Sequence, residues 1–437
     1  MNHTAQMSRT ALFAVPLALV LVACGSSEPT ATPTHPADTD AATSTEPAPV
    51  QERPMHTDAP NQTSGPTPGP TEQAALDEQL RAAAWDNDVA QARRLIRQGA
   101  DVNAKDETEQ SAYLIATSEG YLDLLRLTLR HGAGINDKDS WNGTGLIRAA
   151  ERGHLYVVGE LLRAGIDRDH VNRIGYQAIH EAVWLGADNA SYATTVRVLA
   201  AGGAELERRS PSADLTPLEM ARTRSYAGLE RILDAVTSTE RPADPDSALL
   251  HAAESGDADM VAVALRAGAD IEARDEHDRT ALLLAATHDH VAAAEVLVAM
   301  GADPDALDDR NDTPWLVTGV TGSVAMLETL LPADPDLTLR NRFGGLSPIP
   351  ASERGHVDYI RRVVRTRVDI NHVNDLGWTA LLEAVILGDG GPDHQEIVRI
   401  LLGAGADPTI ADHDGVTALQ HAEQSGHQEM ARLLRLG

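Results

Sequence analysis

Leu265-Arg266-Ala267-Gly268-Ala269-Asp270 decides how the chain folds, because it recurs. Near-copies lie at Ile96 to Asp101, Val298 to Asp303 and Leu402 to Asp407, and Gly99, Gly132 and Gly165 are 33 residues apart, as are Gly268 and Gly301. A fixed period of this length marks a stack of small supersecondary units, each burying its apolar face against its neighbours. A second regularity overlies the first. Glu151-Arg152-Gly153-His154 returns as Glu353-Arg354-Gly355-His356, His170-Val171-Asn172 as His372-Val373-Asn374, and Glu181-Ala182-Val183 as Glu383-Ala384-Val385. The offset is 202 each time (356 − 154, 372 − 170, 383 − 181), so a whole block is duplicated with no net insertion inside it.

The companion of Gly-Ala-Asp is a Thr-Pro/Ala-Leu step: Thr216-Pro217-Leu218, Thr280-Ala281-Leu282, Thr313-Pro314-Trp315, Thr379-Ala380-Leu381 and Thr417-Ala418-Leu419. Thr offers a hydroxyl to unsatisfied helix N–H groups, and Pro next to it sits where its missing donor does no harm. A short helix with a small-residue face follows, ended by Gly153, Gly256 or Gly355 in a conformation that side chains resist. A longer helix with one apolar stripe comes next, as at Val157 to Leu162 or Ile397 to Leu402. Two linked motifs at a period of 33 resemble the ankyrin repeat from about residue 73 to the end of the chain. The resemblance implies an all-α solenoid of helix-turn-helix repeats with hairpin fingers.

About eleven units fit, starting near residues 73, 107, 140, 173, 211, 243, 276, 309, 342, 375 and 413. The fourth and tenth carry insertions between their helices, at Ala187 to Tyr192 and Asp389 to His394. Repeats one to five span 73–236 and repeats six to eleven 247–437, with a degenerate junction at 237–246 where Pro242 and Pro245 interrupt the pattern. A hinge there and a continuous solenoid are both compatible with it. Pro350, inside the inner helix expected for repeat nine, should distort that helix.

The N-terminus has a different logic. Residues 1–23 place Arg9 ahead of an apolar run too short to span a bilayer, the layout of an export signal. Leu21-Val22-Ala23-Cys24 resembles the lipobox of bacterial lipoproteins, which implies cleavage before Cys24, the only cysteine, and lipid on its thiol. An ordinary signal peptide with an incidental cysteine is the alternative. Residues 24–72, rich in Ser, Thr, Pro and Ala, read as a disordered tether. As a flexible coil it would reach on the order of 35 to 40 Å. The expected location is the extracytoplasmic side of a bacterial membrane, in the cell envelope.

Composition narrows the partners. A net charge of −29 and a pI near 4.8 oppose nucleic acid and anionic headgroups, so membrane contact is expected only through the lipid at Cys24. The histidines lack metal-ligand spacing, and neither a phosphate-binding Gly-rich loop nor a nucleophile elbow occurs. No cofactor, metal or catalytic set is therefore expected.

The resemblance places partner binding on fingers and the exposed part of the inner helices. There it selects Trp141, Tyr176, Phe343 and Trp378 on the fingers, with Glu151, Arg152, Glu353 and Arg354 beside them. Trp184 and Ile386, with Leu185 and Leu387, make an expected apolar patch in the long repeats, and His170 and His372 face either a backbone carbonyl or a ligand. Aromatics are frequent binding anchors, though here they also suit packing between fingers. The expectation is a scaffold that binds a protein partner through its concave, fingered face. A small-molecule or envelope-glycan binder using the finger aromatics is the alternative, with an enzyme third.

Overall fold

The computed structural model describes residues 69–436. The expected signal segment, Cys24 and most of the expected tether lie outside the described residues. Within them run twenty-two α-helices, one short 3-10 turn and no β-strand. They pair as eleven repeats of one inner and one outer helix, the all-α solenoid expected. The first inner helix starts at Pro70, with proline at its first position, so residues 70–72 of the stretch expected to be tether are helical.

The repeat motifs act through hydrogen bonds. Thr313 Oγ1 accepts from Leu316 N at 3.1 Å and Thr379 Oγ1 from Leu382 N at 3.2 Å, capping their inner helices. Eight fingers open on an Asp or Asn, at Asp106, Asp139, Asn172, Asp275, Asp308, Asn341, Asn374 and Asp412, and the finger before the inner helix of repeat five opens on Ser210 instead. The Asp or Asn side-chain oxygen accepts from the amides two and four residues later, as Asp139 does from Trp141 N and Gly143 N, both at 2.8 Å. That locks a tight loop without a sheet.

Histidine ties one repeat to the next. Nε2 of His154, His290 and His356 meets the carbonyls of Ser118, Glu254 and Val320 at 3.1, 3.0 and 3.2 Å. Each ring lies over the preceding repeat's glycine, Gly120, Gly256 or Gly322, so a Cβ there would strike the imidazole as well as oppose a φ between 72° and 80°. In the long repeats the insertion takes over this role. Tyr192 Oη donates to the Glu151 carbonyl at 2.9 Å, and His394 Nε2 lies 3.0 Å from that of Glu353.

Repeat nine departs from the expectation. Its inner helix, Pro348–Glu353, survives both prolines. Ile349 N–H takes the Leu346 carbonyl at 3.0 Å, so the helix opens on a tighter turn and the absent Pro350 donor falls where no helical bond is required.

The array doubles back after repeat five. The outer helix of repeat six, Ala258–Arg266, packs on those of repeats four and five, Ala190–Ala201 and Ala227–Thr237. The outer helix of repeat seven, Val291–Met300, packs on that of repeat four and on Leu155–Arg163 of repeat three. Polar ties cross this seam. Buried Asp259 accepts from Arg197 Nε at 2.7 Å and pairs with Arg231, Thr194 Oγ1 donates to Glu295 at 2.8 Å, and Arg266 donates to the Ala200 and Ala204 carbonyls at 2.9 and 3.0 Å. Gly159 lies so close to Ala299 that a Cβ would collide with its carbonyl. The outer-helix sides of two half-solenoids thus meet.

Candidate functional site: twin finger grooves

Each half carries the same groove. In the first half Gln110, Ser118, Asp139, Trp141, Arg148 and Arg152 line a groove of about 420 Å³. Their counterparts 202 residues on, Asp312, Val320, Asn341, Phe343, Pro350 and Arg354, line one of about 820 Å³. The duplication therefore reproduced a shaped surface as well as a sequence. The two grooves differ in lining as well as size. Arg148, bonded to Asp139 and to Glu151 at 2.7 Å, stands in the first where Pro350 stands in the second, and the second also extends onto His277 and Arg279 of the repeat-seven finger, which repeat one lacks.

The rim is apolar at one point. Trp141 is 57% exposed and Phe343 51%, and on the next finger Ile174 is 45% exposed and Leu376 53%. These pairs are locked side by side, because Arg173 N donates to the Trp141 carbonyl at 3.1 Å and Asp375 N to that of Phe343 at 3.0 Å. Ile174 and Leu376 were missed in the sequence. The available signal was an apolar residue at the finger position that holds Thr108, His277, Arg310 or Asp414 elsewhere.

Other expected site residues divide. Tyr176 is buried and stacks on His180 with ring centroids 6.0 Å apart, which corrects its placement as an accessible anchor. It is the last finger residue before the inner helix and so enters the core; Trp378, in the same place, is half-buried against the core of the second half. His170 Nε2 meets the Asn142 carbonyl at 2.8 Å and His372 Nε2 that of Gly344 at 2.6 Å, so both imidazoles pin neighbouring fingers. Trp184 and Ile386 are half-buried, the former with the Arg224 guanidinium 5.6 Å over its ring, while Leu185 and Leu387 beside them are exposed.

Charge around the grooves is largely self-satisfied. Arg152 pairs with Glu119 and donates to the Ser118 carbonyl at 2.9 Å; Glu353 and Arg354 pair at 3.2 Å. Beneath each site lies a buried carboxylate, Glu181 or Glu383, receiving Asn172 Nδ2 at 2.6 Å or Asn374 Nδ2 at 3.1 Å. Burial first, then the nearby Glu151 or Glu353, pushes each carboxyl up to about 7 against the helping amide. Among the described residues no group of three His, Cys, Asp or Glu side chains is arranged to hold a metal, and no helix is long and apolar enough to cross a membrane.

Stacked helical hairpins with a ridge of locked fingers define a repeat solenoid built for surface contact. The family model described as "Ankyrin repeats (3 copies)" matches residues 80–169, 114–210, 218–308, 316–412 and 349–436, and the chain belongs to the ankyrin-repeat family. It is similar to the "Putative ankyrin repeat protein YahD" of Escherichia coli (strain K12), 39% identical over 42% of this chain and 92% of that protein. The "E3 ubiquitin-protein ligase XBAT33" of Arabidopsis thaliana is 36% identical over 24% of this chain and 20% of its own length. Among solved structures, an ankyrin repeat domain from Acinetobacter baumannii AYE is 45% identical, covering 43% of this chain and 96% of that one at a TM-score of 0.42.

Proposed function

We propose that the chain is a lipid-anchored, extracytoplasmic scaffold that binds a protein partner through its finger grooves. The observation that carries this is the duplicated pair of exposed apolar fingertips, Trp141 with Ile174 and Phe343 with Leu376, on backbone-locked loops. Rigid loops lose little entropy on binding, so exposed apolar area there converts efficiently into affinity. The site's work is binding without chemistry, as is typical of ankyrin proteins. Lipid on Cys24, after cleavage of residues 1–23, would hold the array at the envelope of a bacterium.

A glycan partner fits less well, because the Arg342 guanidinium already lies 4.5 Å over one face of Phe343, where a sugar would stack. Cross-linking of the intact protein in its native membrane, followed by mass spectrometry, tests the assignment. A captured protein cross-linked near Trp141 or Phe343 supports it; capture of saccharide alone overturns it. Cys24→Ala should release the protein from the membrane fraction, and retention of that variant sinks the anchor.

A further inference from the structure

The chain doubles back through residues 237–246, and cations gather beside that stretch. Arg241 and Pro242 within it, Gly203 after the outer helix of repeat four, and Arg266 with Ala267 at the end of the outer helix of repeat six line a groove of about 480 Å³. Arg168, from the loop after repeat three, lies against Gly203, where a Cβ would stand 3.3 Å from its guanidinium carbon. We propose that this groove binds a small phosphate dianion, which bridges Arg241, Arg266 and Arg168 and fastens the two half-solenoids where they meet. The site is separate from the finger grooves and independent of what they bind.

Unspent donors and uncompensated charge point to an anion. Neither Arg241 nor Arg266 has an ion-pair partner among the described residues, in a chain with 65 acidic residues against 36 Lys and Arg. Arg266 commits only Nη1, to the Ala200 and Ala204 carbonyls at 2.9 and 3.0 Å, which leaves Nε and Nη2. Arg168 commits Nη1 to the Gly202 carbonyl at 3.2 Å, with Asp169 at 3.6 Å. Burial first, then Arg241 and Arg168, hold the Arg266 guanidinium below its ordinary pKa, against a weaker opposite pull from Asp169 and Glu207. The like charges thus outweigh the carboxylates at Arg266, and a dianion placed among them turns repulsion into attraction.

Oxygen count and net charge select phosphate. A carboxylate offers two oxygens, enough for one guanidinium fork, whereas a phosphate offers enough for guanidiniums carried by three separate segments. The net charge of −29 opposes large anionic surfaces such as nucleic acid and acidic membranes, so the occupant is inorganic phosphate or a soluble phosphomonoester. Arg168 and Gly203 belong to the first half, Arg266 to the second and Arg241 to the junction, so an anion held by all three guanidiniums ties the halves across the seam.

The test is calorimetry on the full chain in inorganic phosphate, against sodium chloride of equal ionic strength. Titration should show one site, and phosphate at about ten times its Kd should raise Tm by about 2 °C. Arg241 is exposed, so Arg241→Gln should leave the fold intact while weakening phosphate binding by about tenfold or more and cancelling the Tm gain. Arg432→Gln, in the last repeat, should change neither. Equal effects of phosphate and chloride, or undiminished binding by Arg241→Gln, overturn the site. Vesicles of phosphatidylcholine and phosphatidic acid should not retain the Cys24→Ala protein; retention that Arg241→Gln abolishes would move the site to lipid headgroups and overturn the soluble ligand. Undiminished affinity in a Gly159→Val chain that X-ray scattering shows to be expanded would overturn the clamp and leave the site standing.

Discussion

At the residue scale the buried glutamates make the sharpest claim. Glu181 and Glu383 have folded pKa values pushed to about 7, above the ordinary carboxylate range, so the native state binds extra protons between roughly pH 4.5 and 7. Their contribution is fully present below the unfolded pKa and is lost as pH rises through 7. Glu181→Gln keeps an oxygen for the Asn172 amide and removes the ionisation. Stability should rise by about 1 to 3 kcal/mol at pH 8 and stay unchanged at pH 4. Urea melts at the two pH values check this, and an equal gain at both would refute it. Neither glutamate was picked out as a site residue in the sequence, where both served only as markers of the duplicated block. Trp141 and Phe343 were legible because aromatics are rare here and both fall on fingers. Tyr176 failed for the same reason: it counted as a finger aromatic, but its place directly before the helix turns it inward.

At the element scale the Thr caps of the inner helices were legible, because Thr, Pro and Gly have few other uses at helix ends, whereas the caps from Ser111 and Asp257 were not read. Thr313→Ala should cost about 0.5 to 2 kcal/mol by freeing the Leu316 amide, measured by thermal melting. No change would mean that water replaces the cap without loss. Proline was read too severely. A helix tolerates it within its first turn, and repeat nine moves its start to keep Pro350 there. The sequence placed the two insertions at equivalent positions but gave them no role, and they supply Tyr192 and His394 in place of the usual histidine tie. Tyr192→Phe should destabilise the chain by about 0.5 to 1.5 kcal/mol, leaving the Glu151 carbonyl without its donor. A melt matching the unmodified protein would show the tie to be dispensable.

At the scale of the whole molecule, the doubling back was available in the sequence but not extracted. Val291–Met300 reads VAAAEVLVAM and Ala190–Ala201 reads ASYATTVRVLAA, with scarcely a polar face between them. A helix apolar all round is buried all round, whereas an outer helix in an open solenoid needs a polar back. The counterpart of the latter in the second half, Pro392–Gly403, keeps Glu396 and Arg399 on its surface and carries no partner helix on its back. Gly159 is the sharpest point of the seam, where its missing side chain lets the Ala299 backbone approach. Gly159→Val leaves each half its own stacked core, because repeats draw stability from their nearest neighbours. It should force the backs apart at a cost of about 1 to 3 kcal/mol or more. The expected result is a larger radius of gyration in X-ray scattering, with urea unfolding separating into two transitions as the halves lose their common interface. A compact variant that still unfolds in one step would show that the seam does not couple the halves.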